Sequence, residues 1–214
     1  MATLQGLHSG LVLDNRDPEN LARVLVRVSD VTETSSGVWA RLATMMAGPD
    51  SGTLFIPDKG DEVLVAFVRG DIRAPCVVGA LWSKAAPPPA AGNPPTSVML
   101  VRSRNGVTLR ILDDSNNDSL VIETPGGQRM TLQDGPGTVR IEDTNGNSVT
   151  LSSSGVSVVA SSAVTVSASA AAISAGMLAI HAGLSKFDGV VQCDTLISNS
   201  VVSSSYTPGA GNVL

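Results

Sequence analysis

The sequence predicts an all-β protein in two parts: a small closed barrel over residues 1–84, then a stack of short strands that a single chain cannot cover. Three observations carry this prediction. Residues 1–84 hold five apolar segments separated by turns rich in Asp, Asn, Pro and Gly. Residues 85–97 are crowded with proline. Residues 144–185 contain no Asp, Glu, Lys or Arg and alternate small polar with apolar residues, as in Ser148-Val149-Thr150-Leu151, Gly155-Val156-Ser157-Val158 and Ala163-Val164-Thr165-Val166. Period-two alternation gives a strand one dry face and one wet face, and a monomer has nothing to set against the dry one.

Bulk composition narrows the function classes. Aromatics make up 3% of residues and charged residues 15%, so small side chains must fill a narrow interior. The net charge is -5, with eight basic against ten acidic residues in 1–84 and six against nine in 85–214, so neither part offers a polyphosphate-binding face. Cys76 and Cys193 fall in different predicted domains without metal-ligand spacing, and read as two reduced, half-buried thiols rather than a disulfide. The start Met1-Ala2-Thr3-Leu4-Gln5 has neither a basic region nor an apolar run, so synthesis in the cytoplasm without a signal peptide is expected. Ser and Gly interrupt the charge-free segment too often for a membrane helix.

The barrel strands are predicted at 7–13, 22–31, 37–46, 62–68 and 76–82. Gly60-Asp61 and Gly70-Asp71 are turn pairs bracketing the fourth. There Val63, Val65 and Phe67 alternate with Leu64 and Ala66, so that strand is apolar on both faces and is expected to sit centrally in the barrel. Five strands in so short a span, with no helical periodicity, fit an OB-type barrel.

Proline fixes φ and removes amide donors, so 85–97 reads as a stiff spacer. From Val98 onward strands recur about every ten residues: 107–112, 119–123, 129–132, 138–142, 148–151, then the charge-free ones, including 163–166 and 177–180. Turns at Asn105-Gly106, Gly126-Gly127, Gly135-Pro136-Gly137, Asn145-Gly146 and Ser154-Gly155 separate them. The inward sets are Val107, Leu109 and Ile111; Leu120 and Ile122; Met130 and Leu132; Val139 and Ile141; Val149 and Leu151. Such a sheet alone would expose an apolar face and two open edges, whereas three copies around one axis bury the faces together. About ten strands at roughly 4.8 Å each predict a rod on the order of 50 Å long.

The first part also carries a resemblance. The runs Gly10-Leu11-Val12-Leu13-Asp14-Asn15-Arg16-Asp17-Pro18-Glu19, Ala22-Arg23-Val24-Leu25-Val26, Trp39-Ala40-Arg41 and Met46-Ala47-Gly48 resemble the OB-fold domain of phage baseplate spike proteins. So do Phe55-Ile56-Pro57-Asp58-Lys59-Gly60-Asp61-Glu62-Val63 and Pro75-Cys76-Val77-Val78-Gly79-Ala80-Leu81-Trp82. That family comprises the baseplate V protein of contractile phages and the VgrG-like spikes of type VI secretion and extracellular injection systems. The resemblance covers nearly all of 6–84 in the family's order. One departure is Ala22, where the family commonly has Gly; a strand interior would accept it.

The resemblance implies an intertwined trimeric β-helix, a triangular prism, for 98–214. It implies a structural central spike that docks to a hub at the barrel end and pierces a target cell envelope when the sheath contracts; with no second large module in the sequence, the hub is expected to be a separate polypeptide. The localisation implied is the baseplate of a virion or injection particle. The terminal Tyr206-Thr207-Pro208-Gly209-Ala210-Gly211-Asn212 resembles the ends of spikes from extracellular injection systems, so Tyr206, Pro208, Val213 and Leu214 are the expected contacts for a PAAR-like tip protein.

No catalytic constellation emerges, and no cofactor or enzymatic activity is expected. His8 and His181 lie in different predicted domains, in no motif that would activate a serine. Asp61-Glu62, Asp113-Asp114 and Glu142-Asp143 are neighbours pointing to opposite faces, unsuited to paired acid and base work. Some spikes of the resembled family close their apex with a His-x-His metal site; here only His181 could meet its copies on a threefold axis, a weak metal candidate. The alternative function is an OB-fold nucleic-acid or carbohydrate binding module on a trimeric fibre. It would use Trp39, Phe55, Phe67 and Trp82, but the net negative charge of 1–84 lacks the basic groove for nucleic acid.

Overall fold

A computed structural model describes residues 5–29, 31, 36–89 and 97–204. Five strands close the barrel: β1 (Leu7–Asp14), β2 (Val24–Val28), β3 (Val38–Leu42), β6 (Glu62–Phe67) and β7 (Pro75–Leu81), in the order β1-β2-β3-β7-β6. The β3–β7 pair is parallel and the others antiparallel. Val12, Val24, Val26, Val28, Val63 and Val65 are fully buried inside, joined by Ala40, Phe67 and Val77. Valine suits this interior because its branched Cβ fills a pleated surface at little cost in side-chain entropy. β6 pairs with both β1 and β7, as each strand of the closed barrel has two neighbours, and Val63, Val65 and Phe67 are its buried residues.

Two barrel strands are shorter than expected, for local reasons. β2 begins at Val24, and Ala22 is not in a strand: its φ is 57°, the left-handed region that glycine enters freely and alanine does not. The Asp17 carboxylate causes this by accepting the amides of Glu19, Leu21 and Arg23, which draws the chain into a tight loop. β3 stops at Leu42, and the chain continues into a flap tipped by β4 (Ala47–Gly48) and β5 (Ser51–Gly52), tied at its base by Thr44 Oγ1 donating to the Thr53 carbonyl at 2.6 Å.

A seven-stranded antiparallel meander follows: β8 (Val98–Arg102), β9 (Thr108–Leu112), β10 (Ser119–Glu123), β11 (Arg129–Gln133), β12 (Thr138–Glu142), β13 (Ser148–Ser152) and β14 (Gly155–Val159). β8 has no counterpart among the predicted strands, and Val107 lies in a turn rather than on β9. The other residues expected to point inward do share one face. Register aligns Val101, Leu109, Ile122, Met130, Ile141, Val149 and Val158 in one column, and Met99, Ile111, Leu120, Leu132, Val139, Leu151 and Val156 in a second. Arg102, Arg110, Glu123, Arg129, Arg140 and Glu142 fall on the opposite face.

Three turns along one edge follow a single plan. The side chains of Ser103, Thr124 and Asp143 accept the amides of Val107, Gln128 and Asn147, at 3.0, 3.3 and 2.9 Å. In each, the fourth residue is a glycine at positive φ: Gly106 at 90°, Gly127 at 83° and Gly146 at 87°. The turn chemistry repeats once per pair of strands.

Beyond β14 the described residues 160–204 form no strand, contrary to the expectation for 163–166 and 177–180. The residues from Val164 form a second unit. A strand needs a hydrogen-bonded neighbour, and the described part of this chain sets no ladder beside that segment. Alternating apolar side chains such as Val166, Ile173 and Leu178 stand exposed along it, and its contacts are local, such as Lys186 with Asp188 at 3.0 Å. Among the described residues the stack within one chain is therefore seven strands, roughly 30 Å at 4.8 Å per step, rather than ten.

Candidate assembly interface

The two apolar columns cover one whole face of the sheet, and much of that face is open to solvent: Met99 is 54% exposed, Ile141 51% and Val156 70%. Contiguous apolar surface of this extent marks an interaction site. The opposite face is mixed: beside its charged residues it carries Val98, Leu100, Leu112 and Val121, of which Val121 is buried. There Arg129 bridges to Glu123 at 2.8 Å and Arg140 to Glu142 at 2.8 Å, and the Glu123 carboxylate holds the Arg129 guanidinium above its usual pKa. The backbone of β9 to β13 is paired on both sides, so whatever covers the apolar face meets side chains rather than a free strand edge.

The first turn of the sheet is fastened to the barrel. Arg104 Nη2 donates to the Ile56 carbonyl at 2.6 Å, and Arg104 Nε forms an ion pair with Asp58. Asn15 Nδ2 grips the same loop, donating to the Pro57 carbonyl at 3.1 Å and to Asp58 Oδ1 at 3.2 Å. Inside the barrel wall Arg23 binds Asp17 at 2.7 Å and lies 5.8 Å over the Trp39 ring. That guanidinium, with the amides already described, holds Asp17 well below the usual carboxylate range.

Comparison with known proteins assigns both parts. The family model for the type VI secretion system and phage-baseplate injector OB domain matches residues 8–82, and that for the phage baseplate V C-terminal trimerisation domain matches 119–179. The chain belongs to the baseplate V and VgrG-like spike family. Among curated relatives it is similar to the type VI secretion system spike proteins VgrG1b and VgrG1a of Pseudomonas aeruginosa, 28% identical over 112 residues and 29% over 107. The aligned parts take 49% and 46% of this chain, but only 15% and 17% of those relatives' own lengths.

Within this family setting the individually predicted residues fare differently. Tyr206, Pro208, Val213 and Leu214 lie outside the described residues. His181 is exposed, and among the described residues no group of three His, Cys, Asp or Glu could hold a metal. His8 packs edge-on against Phe67, ring centres 5.5 Å apart. Two of the three acidic pairs are divided between different tasks. Glu62 accepts from Ser9 at 2.7 Å while Asp61 caps the amide of Asp58; Glu142 binds Arg140 while Asp143 organises its turn. Hydrogen bonds from the Asn147 side chain and amide, then from Asn145, lower the Asp143 pKa to about 2. Cys76 is half-buried, but Cys193 is exposed, unlike the expectation for it, because its segment has no ladder beside it.

Of the four aromatics of the alternative reading, only Trp39 and Phe55 share a surface, as lining of one groove. Phe67 is buried and Trp39 lies under Arg23, whereas Phe55 and Trp82 are exposed. Arg23 and Arg73 are already bound to Asp17 and Asp71. Sequence reasoning missed the Arg104 clamp, whose Asn105-Gly106 neighbours reveal a turn but not its partner. It also missed the open apolar groove beside the flap, about 1300 Å³, lined by Leu21, Trp39, Met45, Met46, Phe55 and Val78.

Proposed function

We propose that this chain is the homotrimeric central spike of a contractile injection machine, in a phage baseplate or a related particle. The observation that carries the reading is the unbroken two-column apolar face, much of it within the residues that match a trimerisation domain. The chain divides by role into the barrel at 1–84, the linker at 85–97 and the trimeric shaft at 98–214. The barrel end docks on the baseplate hub, for which the groove beside the flap, apolar with Arg23, Arg41, Asp50 and Arg73 at its walls, is a suitable contact. The far end, through Tyr206, Pro208, Val213 and Leu214, receives a PAAR-like tip protein. Work is mechanical rather than catalytic: the trimer transmits sheath contraction to a target envelope.

Sedimentation or light scattering of the purified chain tests the assembly, with three chains per particle expected; a stable monomer at micromolar concentration would sink the reading. Deleting 206–214 is expected to abolish capture of a conical tip protein while leaving the trimer intact. Titration with labelled single strands at low salt is expected to give no saturable binding.

A further inference from the structure

We infer that the groove beside the flap receives an extended apolar segment of the hub that carries a carboxylate, and that this segment adds as a strand to the outer half of β7. This rests on the spike reading and names what the barrel end takes hold of. On its β3 side β7 is paired only at Cys76 and Val77, where the Ala43 amide also donates to the Val77 carbonyl at 2.8 Å. β3 stops at Leu42, and among the described residues 78–81 have no ladder on that side. Pro75 and Val77 are buried, whereas Val78, Gly79, Ala80 and Leu81 are exposed, so the outer half of β7 is open on both faces as well as along one edge.

An open edge pairs with any extended chain that reaches it, and proteins ordinarily guard such edges with charge, proline or a covering loop. Val78-Gly79-Ala80-Leu81-Trp82 has neither charge nor proline. At Gly79 an added side chain would meet nothing within 4 Å, so the space above the strand is clear. Val78 also lines the groove, so alternate side chains of an added strand turn into it. There Met45, 88% exposed, and Met46 offer flexible thioethers that mould to an apolar side chain. Charge supplies the remaining selectivity. Arg23 and Arg73 on the walls are held by Asp17 and Asp71, but Arg41 has no ion-pair or hydrogen-bond partner among the described residues. Asp50, the single carboxylate among the described lining residues, belongs to the turn between β4 and β5, whereas Arg41 stands on β3 opposite Cys76, beside the open edge. An uncompensated guanidinium next to apolar surface selects a carboxylate.

The test uses the full chain and a short fluorescent peptide that alternates valine with threonine around one aspartate. It is expected to bind saturably and to slow backbone amide exchange within 78–82. Lysine in place of its aspartate should weaken binding about fivefold, and Arg41→Glu should reverse that preference. N-methylation of its backbone amides should weaken binding at least about tenfold, because main-chain hydrogen bonds make the added strand. No saturable binding, equal binding of the N-methylated peptide, or binding that leaves 78–82 exchanging freely overturns strand addition; a three-chain mass in the same samples then leaves the spike standing. An unchanged preference in Arg41→Glu overturns the carboxylate. Peptide that splits the three-chain particle shows another copy of the chain as the occupant, and also overturns the proposal. A one-chain mass without peptide removes the spike reading, and with it the hub as occupant, whether or not the peptide binds.

Discussion

In the barrel, the strands curl until β6 lies beside β1, so backbone hydrogen bonds and valine side chains are satisfied in the same closure. In the sheet, seven strands satisfy the backbone across their ladders, yet the apolar columns are left facing outward. Residues 164–204 go one step further, leaving both backbone and apolar side chains without a ladder among the described residues. Polar closure and apolar closure are therefore separable, and the chain defers more of the second, then of the first, towards its end. Deferred closure is what a partner completes.

The contrast is broken most severely by placing a charge on each side of it. Val65→Asp puts an unpaired carboxylate in the barrel core and should abolish its cooperative unfolding transition, read by tryptophan fluorescence, a loss above about 4 kcal/mol. Ile141→Asp on the sheet should instead dissociate the trimer in the centrifuge while the barrel transition stays within about 0.5 kcal/mol of the parent.

Acid sharpens the comparison further. Asp17 in the barrel wall and Asp143 in a sheet turn both titrate below their ordinary value of 3.8. A lowered folded-state pKa makes the deprotonated side chain stabilising above the ordinary value, and that stability drains away as pH falls through the folded value. For Asp143 the window runs from 3.8 down to about 2. Asp17→Asn should flatten the acid limb of the barrel transition, and Asp143→Asn that of the sheet; an unchanged barrel limb in Asp17→Asn would separate acid sensitivity from that loop. The smallest effect expected is a gain: Ala22→Gly relieves the left-handed alanine and should stabilise the barrel by about 1 kcal/mol, measured by thermal unfolding.

Most of the barrel was legible because its signals are local: β6 announces itself as an apolar run, and Gly60 and Gly70 mark its ends. The left-handed turn at Ala22 was not, since its cause is the Asp17 carboxylate reaching amides up to six residues away. The resemblance that notes Gly at that position contained the clue, but the conformation requiring it did not show in the pattern. On the sheet, alternation located the inward residues from Leu109 to Leu151. Val98-Met99-Leu100-Val101 lacks alternation, so β8 was hidden behind a continuous apolar run. Alternation beyond residue 160 still reads as strand, and the described residues 160–204 form none, because a strand is a property of two neighbours.

The repeated turns at Ser103, Thr124 and Asp143 have a consequence for how such a molecule changes over generations. Each begins a unit of two strands, about ten ångströms of stack, and each unit presents the same column positions to its neighbours. Duplicating or deleting one unit of about twenty residues keeps every remaining side chain on its own face, whereas inserting or deleting a single residue within a strand reverses all that follow in that strand. Spike length can thus be graduated like a ruler, in whole hairpins, without redesigning either end.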